Sequence, residues 1–380
     1  MFLAWLLWRT TVPAGLHAPR LDERAVFGPR LVAEARRFER FLDWEWAVAT
    51  LAALGAYAVM VHRGRRLAPT LGLGNVNGGI VLGLLTLTVV WAVGVPFALA
   101  EAWWARRHGL SRESYGGVLA SSYAQLLGTT LVAFVALAIL LLLAHRLRRT
   151  WWLPAGLLLA TILLVLQLVQ PYQASIGTHP VRSARLADSI RALEGRERAV
   201  GTAVRVEDVK GMTKEANAFS IGVGPTKRVI LWNTLLNGRF SPGEVRFVVS
   251  HELGHVIRNH VLRGVAWFAL LVLPVLLLTA RLVDVRHPAG VPPALLVIAV
   301  ATLLLLPLRN VISRRYEREA DWIALKTTRD PSAARGLFVE FVRTSLQDPS
   351  PPGWVHVLLD DHPTPLQRVE QAAAWARRNP

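Results

Sequence analysis

The chain has 380 residues, of which 53% are hydrophobic and only 18% charged, and a net charge of +17. Its mean hydropathy is +0.36. This balance excludes an ordinary soluble protein and points to a membrane protein, whose arginine excess belongs to loops and lipid-facing segments. No basic groove interleaved with aromatics appears, so membrane lipids are expected partners and nucleic acid is not. There is no cysteine, which excludes disulfides, thiol nucleophiles and thiolate metal sites. Any metal is left to His, Asp and Glu.

The first seven residues are apolar, and the only early charge, Arg9, follows them. That order is wrong for a cleaved signal peptide. The segment is expected either at the membrane interface or packed against the bundle. Residues 10–42 are rich in arginine (Arg20, Arg24, Arg30, Arg36, Arg37, Arg40). Within them 30–41 predicts a helix, lying on the membrane or solvated, so 1–42 reads as an N-terminal interfacial segment.

Four apolar runs follow, at about 43–61, 80–100, 118–144 and 151–169, each about as long as a bilayer requires or longer. Tryptophans (Trp44, Trp46, Trp103, Trp104, Trp151, Trp152) mark their ends, as aromatic belts do. Pro96 is expected to kink the second run and Pro171 to close the fourth. Residues 43–171 are thus a four-helix transmembrane region.

From 172 to 263 charges return and a soluble domain is expected. It has a helix at 181–196 and strands at 204–209, 218–223 and 229–232, the last two a hairpin through Gly224-Pro225-Thr226. Two more apolar runs, 264–283 and 294–308, make a transmembrane hairpin over 264–309, with Pro274 and Pro307 as candidate kinks. The tail, 310–380, is polar and helical. There is no internal repeat or low-complexity tract. The fold class is therefore mainly α: a polytopic helical membrane protein with a soluble domain carrying a small β-hairpin or sheet. By parity, the N-terminus, that domain and the tail share one side. The distribution of arginine over the loops favours the cytoplasmic side.

The stretch that carries chemistry is His251-Glu252-Leu253-Gly254-His255. It fits H-E-x-x-H. Residues four apart share a helix face, so His251 and His255 can hold one zinc ion, with Glu252 beside the open position as general base. Ser241-Pro242-Gly243-Glu244 supplies an N-cap, a first-turn proline and a capping-box glutamate for that helix. A third histidine of metzincin spacing is missing, since Val261 stands there. His260, five after His255, is off register for the same metal and reads as an ordinary interfacial histidine.

The better third ligand is Glu317, in Ser313-Arg314-Arg315-Tyr316-Glu317-Arg318-Glu319-Ala320-Asp321. Asp321 lies one turn on, on the same face. It can accept the free ring N–H of a ligand histidine and fix its tautomer. Glu319 points elsewhere and is read as solvated.

The motifs H-E-L-G-H and S-R-x-x-E-x-x-A-D together resemble the integral-membrane zinc proteases of the CAAX prenyl protease type 1 family and their HtpX-like relatives. Asn217-Ala218-Phe219 with Arg228-Val229-Ile230-Leu231 is similar to that family's edge strand and the strand after it. Asp361-His362-Pro363-Thr364-Pro365-Leu366-Gln367-Arg368 is similar to its late H-P-P-x-x-x-R element, with Thr364 at the second proline. Pro96-Phe97 with Arg107-His108-Gly109-Leu110 favours the prenyl protease branch.

The resemblance implies one zinc on His251, His255 and Glu317, with Glu252 as base and Asp321 supporting. It also implies Asn217, Ala218 and Phe219 as the strand that aligns substrate, and His362 on the backbone or oxyanion. The resemblance implies a zincin-like catalytic domain over 172–263, and the expected enzyme is a zinc metalloendopeptidase of the gluzincin type, acting on a peptide or protein substrate, a C-terminal tail among the candidates. HtpX-like quality control of membrane proteins is the alternative protease. A helical membrane scaffold or transporter with a degenerate zinc motif is the non-enzyme alternative; no charge deep in a span marks a transport path. The arginine- and alanine-rich composition suggests a bacterial cell membrane.

Overall fold

The computed structural model of the chain describes residues 2–209 and 211–379. A short apolar helix, α1 (Phe2–Trp8), is followed by α2 (Glu23–Phe27) and then α3 (Pro29–Thr70), a single helix of 42 residues. The expected surface helix at 30–41 and the first span are therefore one continuous helix. Polarity changes at Asp43, but neither glycine nor proline interrupts the backbone between Pro29 and Leu54, so nothing breaks it.

The next three helices are α4 (Asn75–Arg107), α5 (Tyr115–Leu147) and α6 (Trp152–Gln173). With α3 and the later α9 (His260–Leu282), five helices are long and apolar enough to cross a membrane. Their exposed leucines, such as Leu51, Leu131 and Leu157, form the surface such a solvent requires. Pro96 and Pro171 lie inside α4 and α6, so α6 runs past the proline expected to close it.

The last apolar segment is broken. α10 (Val291–Leu304) and α11 (Leu306–Thr328) meet at Leu305, and the apolar pair is bent by 46°. Counting that pair as one span gives six. Pro307 sits in the first turn of α11, where its missing N–H costs nothing.

Between α6 and α9 lies a four-stranded sheet: β1 (Thr178–Pro180), β2 (Ala203–Glu207), β3 (Ala218–Ile221) and β4 (Arg228–Trp232). Spatial order is β1-β2-β4-β3. Helix α7 (Ala184–Glu197) links β1 to β2, and β2 runs parallel to β4, to which the chain returns by way of β3. β3 pairs antiparallel with β4, placing Ala218 opposite Leu231. β1 was not visible in the sequence pattern, being three residues long and ending in proline. β3 is left as an edge, with one row of backbone groups unpaired by strand neighbours.

The central helix is α8 (Pro242–Ile257). Its capping box is made as the sequence suggests: Glu244 N–H donates to Ser241 Oγ at 3.3 Å, and Ser241 N–H to Glu244 Oε2 at 2.7 Å. α8 is buried on nearly every side. Phe247, Val249 and Leu253 sit in one core with Val229 and Leu231 of β4, Leu325 of α11, and Phe338 of α12 (Pro331–Ser345). Burying each such side chain contributes roughly 1.5–3 kcal/mol. At Asn259, in the left-handed region with φ 53°, the chain turns and α9 leaves for the membrane. Helices α13 (Gly353–Leu358) and α14 (Pro365–Arg378) close the tail over α11 and α12.

Gly222 sets the β3–β4 turn. Its φ is +89°, and a Cβ there would lie 2.5 Å from the Thr226 carbonyl oxygen. Gly222→Ala is expected to destabilise the hairpin by about 1–3 kcal/mol. A lowered melting temperature would show it; an unchanged one would mean that the turn is not strained as described.

Candidate active site

The i,i+4 spacing on α8 brings His251 and His255 to one face, and α11 crosses it to bring Glu317. The two Nε2 atoms are 3.1 Å apart. Glu317 reaches them at 3.2 Å (Oε2 to His251) and 3.3 Å (Oε1 to His255). His251, His255 and Glu317 each offer one ligand atom to a common point, all within 4.8 Å of one another.

The outer nitrogens define the tautomers. His251 Nδ1 lies 2.9 Å from Asp321 Oδ1, and His255 Nδ1 lies 2.9 Å from His260 Nδ1. With each Nδ1 carrying its proton outward, both Nε2 atoms present lone pairs inward. Glu317 Oε2 has no hydrogen-bond partner although it is buried. Three acceptors converging without a donor repel one another unless a cation lies between them. The donor set, two imidazoles and a carboxylate, suits a borderline divalent metal with one position open. The residues present therefore fit a metal.

Asp321 is itself held. Arg368, on α14, donates from Nε to its Oδ2 at 2.8 Å and from Nη2 to its Oδ1 at 2.7 Å. This bidentate pair is buried, with Asp321 only 1% exposed. Burial raises a carboxyl pKa, but Arg368 and His251 overcome it and hold the Asp321 carboxyl below its usual range. The sequence reading gave Arg368 no role beyond its motif. Its partner lies 47 residues away, and no local spacing signals it.

Glu252 is buried and lines both cavities that meet at the centre. His362, in the loop before α14, is fixed through Nδ1 to Asp361 at 2.7 Å, with Nε2 3.4 Å from Glu317 Oε2. Asn217 stands exposed at the head of β3, its carbonyl accepting from Trp232 N–H at 2.9 Å. Among the described residues no hydrogen bond joins it to His251, His255 or Glu317. It lines, with Ala218, His251, Glu252 and His362, a pocket of about 220 Å³ floored by Phe247, Phe338 and Phe341.

On the other side, Ala218 and Phe219 border an apolar cavity of about 770 Å³ that extends among Trp267, Leu271 and Val275 of α9 and Ile298 of α10. The edge strand thus passes between two cavities, one aromatic and small, one large and reaching the membrane helices.

Two residues differ from their sequence reading. Glu319, read as solvated, has no exposure at all. It turns toward α9, where Arg258, His260 and Arg263 surround it. Its helical phase does point away from Glu317, but that face is covered by α9 and the N-terminal segment. His260, read as interfacial, is buried against His255.

Comparison with known proteins gives a consistent result. The sequence profile of peptidase family M48 matches residues 199–376. An "Uncharacterized metalloprotease YhfN" of Bacillus subtilis is 29% identical over 247 residues, 60% of this chain and 58% of that protein. The "Mitochondrial metalloendopeptidase OMA1" of Arabidopsis thaliana is 34% identical over 112 residues, 29% of this chain and 19% of that one. The chain therefore covers less than two thirds of either relative's length. The crystal structure of S. mikatae Ste24p superposes with a TM-score of 0.74 at 17% identity, covering 98% of this chain and 95% of that one. The fold is that of Ste24p.

Behind α8, Ser250 Oγ donates to the buried Glu197 carboxylate at the end of α7. Burial pushes the Glu197 carboxyl up to about 7. A carboxyl raised on folding contributes stability at low pH that is lost as pH rises through its folded value. The wild type should lose on the order of 1–3 kcal/mol between about pH 4.5 and 7 from this group. Glu197→Gln should flatten that part of the profile, as read from melting temperature against pH. An unchanged slope would dismiss the assignment.

Proposed function

We infer that this chain, whose residues 199–376 belong to peptidase family M48, is a multi-pass membrane zinc metalloendopeptidase. The observation that carries this is the convergence of His251, His255 and Glu317, with Glu252 beside them where two cavities meet under an exposed strand edge.

His251, His255 and Glu317 would hold one zinc ion. Zinc bound there supplies Lewis acidity, polarising the scissile carbonyl and acidifying water. The remaining work falls to the chain. Glu252 takes the proton of the attacking water and passes it to the leaving amine. β3 adds the substrate as a further strand by backbone hydrogen bonds, with Asn217, Ala218 and Phe219 aligning it. His362, held by Asp361, donates to the developing oxyanion. Asp321 keeps His251 in the tautomer that presents Nε2.

The substrate we propose is a peptide tail carried into the apolar cavity by a hydrophobic group, in the manner of the CAAX prenyl protease type 1 family. The large cavity is lined by α9 and α10, so it also suits a segment drawn from a membrane protein, the HtpX-like quality-control reading. Arginine bias and composition favour a bacterial cell membrane with the site facing the cytoplasm.

Glu252→Gln should lower peptide hydrolysis by about a hundredfold to ten-thousandfold while zinc content stays at one per chain. A variant that cleaves normally refutes the role of Glu252. Wild-type protein free of zinc by metal analysis refutes the enzyme. Turnover of a farnesylated CAAX peptide, set against that of an unfolded membrane protein, decides between the two substrates.

A further inference from the structure

His255 differs from His251 in what lies behind it. His251 leans directly on a carboxylate. His255 Nδ1 instead faces a second imidazole, His260 Nδ1 at 2.9 Å, and His260 Nε2 faces Glu319 Oε2 at 3.1 Å. Only one proton arrangement serves all three groups with neutral rings. Glu319 is acceptor-only when ionised, so His260 carries its proton on Nε2. His260 Nδ1 is then an acceptor, which requires the His255 proton on Nδ1 and leaves its Nε2 lone pair facing Glu317 and His251.

Glu319 is built to stay an anion. It is wholly buried and accepts from Thr11 N–H at 2.7 Å, His260 Nε2 at 3.1 Å and Arg263 Nη1 at 3.3 Å, while the Arg258 guanidinium stands beside it as an ion pair at 2.9 Å. Arg263 in turn grips the carbonyls of Leu7 and Arg9 through Nη2. Tyr316, whose ring stacks on His260 at 4.5 Å and 8°, donates to the Leu7 carbonyl at 2.9 Å. The N-terminal segment is thus tied to the same cluster from two directions.

We propose that His260 is the positioning residue of His255, polarised by Glu319, and that the N-terminal segment Leu7–Thr11 caps this relay. The relay rests on the reading of His251, His255 and Glu317 as a zinc site. It gives the second histidine ligand an outer support of its own, made by α9, α11 and the N-terminus rather than by Asp321 and Arg368. Outer partners of this kind tune metal affinity by about 10- to 100-fold.

The test measures zinc affinity of the full-length protein in detergent by competition with a chromogenic chelator, with cobalt absorption as a second readout of ligand geometry. Zinc binding by the wild type is established first; its absence would sink the metal-site reading, not the relay alone. His260→Phe keeps the stack on Tyr316 and removes both ring nitrogens. It should weaken zinc binding by about 10- to 100-fold while the zinc-saturated protein melts near the wild-type temperature. His260→Asn restores an acceptor for the His255 Nδ1–H and should recover part of that loss. If His260→Phe does not fold, His260→Leu against His260→Asn makes the same comparison. Thr11→Pro deletes one donor to Glu319 and should cost a smaller, several-fold loss. Wild-type affinity in the phenylalanine or leucine variant, or an asparagine variant no better than it, overturns the relay. Wild-type affinity in Thr11→Pro overturns the N-terminal cap.

Discussion

The close crossing of α8 and α11 is the constraint on which the rest of the site depends. At Gly254 a Cβ would come within 3.3 Å of the Ala320 Cα. Only a glycine facing an alanine lets the two backbones approach this far. The approach matters because the histidines and Glu317 have short reach. His251 and His255 stand on either side of Gly254 on α8, and Glu317 and Asp321 on either side of Ala320 on α11. A larger residue at either small position would move His251 and His255 away from Glu317 and Asp321 and open the cluster.

From that crossing, support spreads in two directions. One runs through Asp321 to Arg368 and so to α14 and the C-terminal tail. The other runs to α9 and the N-terminal segment through Glu319. Each uses buried charge, which is costly alone and tolerable only when every partner is present. Thr11 and Arg368, more than 300 residues apart in sequence, thus both brace α11, one at Glu319 and the other at Asp321.

Much of this was legible in the sequence because its signals are local and periodic. Apolar runs of bilayer length, the capping box at Ser241, and the i,i+4 pairs on α8 and α11 are fixed by helical geometry within a single element. The β3–β4 hairpin was legible from its glycine-proline turn. What was not legible depends on which element covers which. Glu319 lies two residues from Glu317, so its phase correctly excluded it from the metal face, but phase says nothing about what packs on the opposite face. His260 looked like a boundary residue because it opens a membrane helix; the left-handed turn at Asn259 folds it back onto His255. The continuity of α3 was obscured by a change of polarity that is no barrier to a helix.

The position of the edge strand explains how a polar reaction centre can sit beside a membrane chamber. A charged or hydrogen-bonding group placed among lipid-facing helices is costly unless its partners are supplied by protein. Here the polar groups all project from α8, α11 and the loop at His362, on the catalytic-domain side. The apolar cavity is walled chiefly by α9, with α11 and the end of α10. β3 lies along the boundary, with Ala218 bordering both cavities and His251 and Glu252 exposed to each. A peptide paired to this edge would have its backbone polar groups satisfied by β3 while alternate side chains turn away from the sheet. The larger cavity meets the polar centre at one end and is apolar along α9. The aromatic pocket on the other side, at about 220 Å³, admits only a compact side chain. The two cavities therefore differ in size and in polarity on the two sides of β3.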